Sequence, residues 1–272
     1  MKSLVSVIVP AYNRAAVLPR AVESVRNQTY ENWELLICDD ASTDNTADVV
    51  AELQQQDDRI KLLRHQKNLG AAEARNTPMK AAQGSYIALL DSDDEWLPEK
   101  LEKQIAALET APEGVGICLT GAKIIKNQLR SAYDIPQKDW EENTFVKFLD
   151  GTISYTTSTI VFRRSCLKTT GLMTSALRRG QDEDLLLRIL LHYRLITIQD
   201  VLVKMNLCTV KKNLFTHILI QVDHMVRNYY KTIEIAYGKN TRKYSKENYN
   251  NNSKQILSLS MGHLSQSTIF IL

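Results

Sequence analysis

The chain has 272 residues, is 44% hydrophobic and 24% charged, and carries a formal net charge of +3. These proportions are ordinary for a globular protein with a sizeable core, and so small a net charge gives no pointer to a nucleic-acid partner. The charge is uneven, however: from position 201 onward ten Lys/Arg face three Asp/Glu, which leaves the first 200 residues net acidic.

In chain order, "LVSVIVP" is a continuous apolar, β-branched run and predicts a buried strand ended by Pro10. "LPRAVESVRNQ" has helical spacing, with Pro19 in its first turn. "WELLICDD" predicts a second buried strand that ends in acid, and "STDNTADVVAELQQQ" a helix capped by Ser42 or Asp44. "RIKLLRH" predicts a third strand. "LGAAEARNTPMKAAQG" reads as a helix that Pro78 should kink or interrupt. "YIALLD" predicts a fourth strand, and "LPEKLEKQIAALET" a helix with its Lys and Glu residues outward.

Strands alternating with helices predict an α/β fold with a mostly parallel central sheet flanked by helices. Beyond about 112 the pattern loosens. "VGICLTGAKII" and "TSTIVFRR" predict strands, "NTFVKFLDG" and "DEDLLLRILLHY" helices, and "RLITIQDVLVKMNL" one or two strands. The expected domains are 1–210 and a basic, helical, partly flexible extension over 211–272, with a helix over 211–237 and a polar flexible stretch over 238–255. The terminal "STIFIL" could dock elsewhere or lie on a membrane.

Cys38, Cys118, Cys166 and Cys208 form no CxxC and predict small buried apolar residues rather than a metal site or a disulfide framework. No apolar run approaches the ~18 residues of a membrane span, and the start does not have the form of a signal peptide. The expectation is a cytoplasmic protein. The basic carboxyl-terminal region suits peripheral contact with the inner face of a plasma membrane, or is simply a solvated helix face.

The acids carry the chemistry. Asp91 and Asp93 are two apart, which in extended chain puts both on one face, roughly 6–7 Å apart. Such a pair at a strand end suits Mg²⁺ or Mn²⁺ bound to a diphosphate, because these cations complete their shell with phosphate and water oxygens. Alone, the triplet Asp91, Asp93, Asp94 reads equally as a solvated turn. Asp40, at the end of a second strand, could accept hydrogen bonds from a base or ribose. Tyr12 could stack on a base or be an ordinary buried aromatic. Asp182, Glu183 and Asp184 open a helix, where acids are favoured; one of them could deprotonate an attacking hydroxyl.

With these residues in view the chain resembles family 2 glycosyltransferases. "VSVIVPAYNRAAVLPRAVESVRNQTYENWELLICDDASTDNT", "HQKNLGAAEARN", "GSYIALLDSDDEWLP" and "GQDEDLLLRI" follow the family's order over about residues 3 to 200. The resemblance implies a GT-A type fold and inverting, metal-dependent transfer of one sugar from a nucleotide sugar, with uridine the family's usual nucleotide. It implies a sugar or lipid-linked sugar acceptor in surface polysaccharide or glycolipid assembly. It also implies roles. Pro10, Tyr12, Asp40, Arg75, Asp91 and Ser92 would meet the nucleotide sugar, Asp93 the Mg²⁺ or Mn²⁺, and Asp182 would be the base, supported by Asp184 and Arg188. The Q-x-x-R-W signature of processive synthases is absent, which implies one sugar per binding event. Two rivals are a sugar nucleotidyltransferase, which would want a glycine-rich loop where "PAYNRAAVLP" stands, and an inactive binding protein that keeps the fold.

Overall fold

The structure, a computed structural model, describes residues 2–126, 129–135, 144–149 and 153–207. The expected 211–272 extension, its helix over 211–237, "STIFIL" and Cys208 lie outside the described residues.

The first half alternates strand and helix as the pattern requires: β1 (Val5–Ala11), α1 (Leu18–Arg26), β2 (Trp33–Asp39), α2 (Thr46–Gln56), β3 (Ile60–Arg64), α3 (Ala71–Ala81) and β4 (Tyr86–Leu89). β1, β2 and β4 are almost wholly buried, as continuous apolar runs in a parallel sheet should be. Each fully buried Val, Ile or Leu contributes about 1.5–3 kcal/mol, so these strands anchor the core. α1 buries Leu18, Ala21, Val22 and Val25 on one stripe. There follow β5 (Glu95–Trp96), α4 (Lys100–Thr110), β6 (Val115–Lys126), β7 (Leu129–Ile135), α5 (Thr144–Leu149), a 3₁₀ turn over Thr157–Thr159, β8 (Val161–Arg163), α6 (Cys166–Thr170), α7 (Gln181–Leu190) and β9 (Arg194–Leu207).

The sheet has the order β3-β2-β1-β4-β8-β6-β9-β5, with β7 paired to β6. Neighbours from β3 to β4 are parallel, β8 is antiparallel to both β4 and β6, and β6 and β9 are parallel. Chain order reverses about β1: β2 lies on one side and β4 on the other. A crevice beyond the carboxyl ends of strands at such a switch point is the usual ligand site of open α/β sheets.

Three expectations change, and the choice of one or two strands in "RLITIQDVLVKMNL" is settled. α3 runs unbroken through Pro78, which is buried within it. "TSTIVFRR" is divided: its Thr-Ser-Thr stretch forms the 3₁₀ turn, and only Val161–Arg163 pairs as strand. "RLITIQDVLVKMNL" is one long strand, β9. Lys100 does not face water. It is fully buried, with Nζ donating to Gln104 Oε1 at 2.7 Å and lying 4.0 Å from the Trp96 ring centroid. Burial pushes its pKa down to about 7. Cys38, Cys118 and Cys166 are buried free thiols, as expected.

Candidate active site

The loops after β1 and β2 are locked together. Asn13 and Ala41 adopt positive φ, 54° and 60°, where non-glycine residues are strained. Asn13 Oδ1 accepts the Thr43 N–H at 2.8 Å, and its own N–H donates to Ser42 Oγ at 2.9 Å. Asn45, not Ser42 or Asp44, stands at the N-cap of α2; Asp44 accepts from the N–H of Thr46, the first residue of α2, and ties it to the Ala15 N–H in the loop after β1. Tyr12 stands clear of the core at 44% exposure, which removes its reading as a buried aromatic.

Asp39 and Asp40 are both buried. Asp39 Oδ1 accepts the Ser42 N–H at 2.9 Å, and Arg64 Nε lies 3.1 Å from Oδ2. Asp40 Oδ1 meets His65 Nδ1 at 2.7 Å and the Leu69 N–H at 2.8 Å; Oδ2 accepts the Gly70 N–H at 2.8 Å. Gly70 has φ of 90°, a conformation glycine adopts at little cost. Asp40 therefore folds the 65–70 loop over the crevice.

The β4 turn is arranged differently. The Asp91 N–H donates to Ser158 Oγ at 3.0 Å, and Asp91 Oδ1 pairs with Arg75 Nη2 at 2.5 Å. Asp94 is buried. Its Oδ2 accepts the Ser158 hydroxyl at 2.6 Å and its Oδ1 the Asn206 N–H at 3.2 Å. Burial and the charge of Asp91 push it up to about 7. Asp94 thus braces the turn from within. The Asp93 carboxylate takes no hydrogen bond from another residue among the described contacts. Burial, then Asp91, raise its pKa, against the charges of Arg14 and Arg20.

One cavity of about 620 Å³ is lined by Pro10, Tyr12, Asp40, Arg75, Asp91, Ser92 and Asp93, together with Arg14, Asn68 and Gly70. Its size is that of a small-molecule pocket. All seven residues expected on the donor and metal side therefore share a single crevice. Asp182, in the first turn of α7 after Gly180 (φ 68°), accepts the Thr157 hydroxyl on Oδ2 at 2.9 Å. Burial opposes the Arg75 charge, but Asp91, Asp182 and Asp93 together raise its pKa above the ordinary value. One guanidinium thus lies within the field of all three acids. Asp184 pairs with Arg188 Nη2 at 2.7 Å and accepts the Thr174 hydroxyl; Arg188 also donates to the carbonyls of Thr170 and Leu172. That pair holds the segment leading into α7.

A hard divalent cation fits this donor set. Asp93 brings a carboxylate without another residue as hydrogen-bond partner, Asp91 stands beside it, and Mg²⁺ or Mn²⁺ needs few protein ligands when a diphosphate supplies the rest. Among the described residues no group of three His, Cys, Asp or Glu side chains forms an all-protein metal cage.

Several contributors escape sequence reasoning. Asn76 pairs with both main-chain groups of Met173 at 2.9 Å, and Glu73 accepts the Ser175 hydroxyl, so α3 grips the loop before α7. His65, Asn13, Thr157 and Ser158 also lack a periodic signal; only the clustering of Asn, Ser and Thr beside strand ends hints at them.

A mostly parallel sheet with an acidic crevice at the carboxyl ends of its strands, crossed by a part-buried arginine, has the GT-A architecture. A sequence model of glycosyl transferase family 2 matches residues 6–171, and the chain belongs to that family. Among curated relatives, the UDP-Glc:alpha-D-GlcNAc-diphosphoundecaprenol beta-1,3-glucosyltransferase WfgD of Escherichia coli is 52% identical over 105 residues, 39% of this chain and 41% of that one. The putative teichuronic acid biosynthesis glycosyltransferase TuaG of Bacillus subtilis is 47% identical over 104 residues, 38% of this chain and 41% of its own. The chain thus spans under half the length of these relatives. The fold matches S. aureus TarS 1-349 in complex with UDP, with TM-score 0.64 and 23% identity, over 83% of this chain and 65% of that one. It also matches the mannosyltransferase PcManGT of Pyrobaculum calidifontis in complex with GDP-Man and Mn2+, with TM-score 0.67 and 20% identity, over 99% of this chain and 76% of that one. No helix among the described residues is long and apolar enough to cross a membrane.

Proposed function

We propose that this chain is an inverting glycosyltransferase that moves one sugar from a UDP-sugar to an acceptor hydroxyl in bacterial-type surface polysaccharide or glycolipid assembly. The observation that carries the reading is the single crevice lined by Tyr12, Arg75, Asp91 and Asp93, with Arg75 paired to Asp91, in a chain of this family. The exposed Tyr12 in the crevice suits a nucleobase, and the loop folded by Asp40 lines the same crevice with Asn68 and Gly70. The relatives named above support a UDP donor and a lipid-linked acceptor.

Asp182 takes the proton from the acceptor hydroxyl. The acceptor oxygen forms its bond to the anomeric carbon on the face opposite the diphosphate. The bond from that carbon to the diphosphate oxygen breaks, and its electron pair leaves with the nucleotide. A single displacement inverts the anomeric centre and needs no enzyme nucleophile. Asp93, with Asp91 beside it, would hold a Mg²⁺ or Mn²⁺, which would neutralise charge on the leaving diphosphate. Arg75 adds a fixed positive charge at the same place.

The basic region beyond 210 would bring the enzyme to the cytoplasmic face of the membrane, where a lipid-linked acceptor lies. The deciding experiment measures nucleotide diphosphate release from UDP-glucose, UDP-GlcNAc and GDP-mannose with Mn²⁺, for the full chain and for Asp182→Asn. Turnover of a UDP-sugar that Asp182→Asn abolishes is expected. Release from none of these donors, or an undiminished Asp182→Asn, would overturn the assignment.

A further inference from the structure

The 3₁₀ turn over Thr157–Thr159 touches both halves of the reaction centre. The Thr157 hydroxyl donates to Asp182 Oδ2 at 2.9 Å. The next residue, Ser158, is fully buried; its hydroxyl accepts the Asp91 N–H and donates to Asp94 Oδ2. Two adjacent side chains therefore hold the helix that carries the base and the turn that carries the donor acids. In sequence these stand about ninety residues apart.

The turn is itself held rigidly. Bonds between its ends close it: Thr159 Oγ1 donates to the Thr156 carbonyl at 2.7 Å and accepts the Thr156 N–H at 3.4 Å, and the Thr159 N–H donates to the same carbonyl at 2.9 Å. From behind, Trp96 Nε1 donates to the Ser158 carbonyl at 2.8 Å, and Gln104 Nε2 to the Thr159 carbonyl at 3.0 Å. The Leu89 N–H donates to the Ile160 carbonyl at 3.1 Å, which joins the turn to the end of β4.

We infer that residues 156–159 are the device that fixes the base against the donor acids, with Thr157 as positioning residue for the Asp182 carboxylate and Ser158 for the Asp91–Asp94 turn. The inference rests on reading Asp182 as the base. The Thr157 bond occupies Oδ2 and leaves Oδ1 to face the acceptor proton. Without it the carboxylate can turn about its own side-chain torsion and lose its line to the anomeric carbon. Geometry of this kind governs the chemical step more than donor capture, so loss of Thr157 should fall on kcat.

The test compares Thr157→Val, which keeps the shape and removes the hydroxyl, with Thr157→Ser, which keeps the hydroxyl. Turnover is read as UDP release from the UDP-sugar that the wild type uses fastest, and donor-side binding as the affinity for UDP with Mn²⁺. Thr157→Val should lose ~10–100-fold in kcat, the scale of one hydrogen bond to a charged group. Its donor KM and UDP affinity should stay within about twofold, and Thr157→Ser should recover most of the loss. Ser158→Ala should show the opposite bias, with UDP–Mn²⁺ affinity weakened about tenfold. The Thr157 pair decides the matter even where Ser158→Ala does not fold. Wild-type kcat in Thr157→Val, or a Thr157→Ser as impaired as the valine variant, would overturn the inference. Asp182→Asn separates the two failures. If it abolishes turnover while Thr157→Val does not, this inference alone falls; if it leaves turnover intact, the base assignment falls with it.

Discussion

The turns after β2 and β4 both end a buried strand in a run of acids, yet they are built to different ends. After β2, both Asp40 oxygens are taken by His65 and the Leu69 and Gly70 N–H groups, Asp44 accepts two N–H groups, and Asp39 accepts one N–H and lies beside Arg64. After β4, Asp94 has a partner on each oxygen, Asp91 pairs with one arginine, and Asp93 takes no hydrogen bond from another of the described residues. The difference shows what separates an acid that shapes a pocket from one that works in it. It lies in whether the chain has already consumed the carboxylate's hydrogen-bonding capacity, not in charge or position at a strand end.

The contrast can be broken most directly at Asp93. Asp93→Asn should lower Mn²⁺-dependent turnover ~100-fold or more, since a lost metal contact removes several kcal/mol of charge stabilisation, while the melting temperature stays unchanged. Full turnover at saturating Mn²⁺ would erase the distinction between the two turns. Asp40→Ala should do the reverse and cost ~2–4 kcal/mol of stability in urea unfolding, because it strips three partners at once. A variant as stable as the wild type would show that the 65–70 loop does not depend on it. Asn13→Ala should cost ~1–2 kcal/mol by the same measurement, through the lost Thr43 bond and a positive φ that alanine tolerates less well.

The smallest effect concerns the support behind the β4 turn. With its pKa at about 7 rather than 10.5, buried Lys100 leaves the folded chain holding fewer protons than the unfolded chain between those values. Stability should therefore rise with pH across that window. Relative to Lys100→Met, the wild type should gain about 1–2 kcal/mol between pH 7 and pH 9. Parallel stability profiles for the two proteins would mean that the amine is not titrating there.

The parallel half of the sheet was legible because β1, β2 and β4 are unbroken apolar runs, and the acids that follow them mark the crevice. The same logic failed at "TSTIVF", where β-branched residues suggested strand but hydroxyl-to-backbone bonds favour a 3₁₀ turn. It failed at Lys100, where a Lys/Glu-rich helix suggested an outward face, yet Trp96 and Gln104 receive the amine. β5 was missed because a two-residue strand has no periodicity; "LRSAYDI" does alternate, Leu129, Tyr133 and Ile135 against Arg130 and Asp134, and that signal for β7 was passed over. Asp182 was visible as one of three acids opening a helix, but its place in the field of Arg75 depends on tertiary packing that spacing does not encode.

The late strand β9 also finishes the acid turn. β5 pairs with it at Glu95↔Lys204 and Trp96↔Val203, and Asn206 donates its N–H to Asp94 and its amide to the Asp93 carbonyl. During synthesis, then, β1 to β4 can collapse early through local βαβ contacts, but the turn that carries Asp93 has no finished frame until residue 206 has emerged. A chain interrupted before β9 would present a nucleotide fold whose reactive end is still unset. In chain order α7, which carries Asp182, is thus complete before the frame of that turn is.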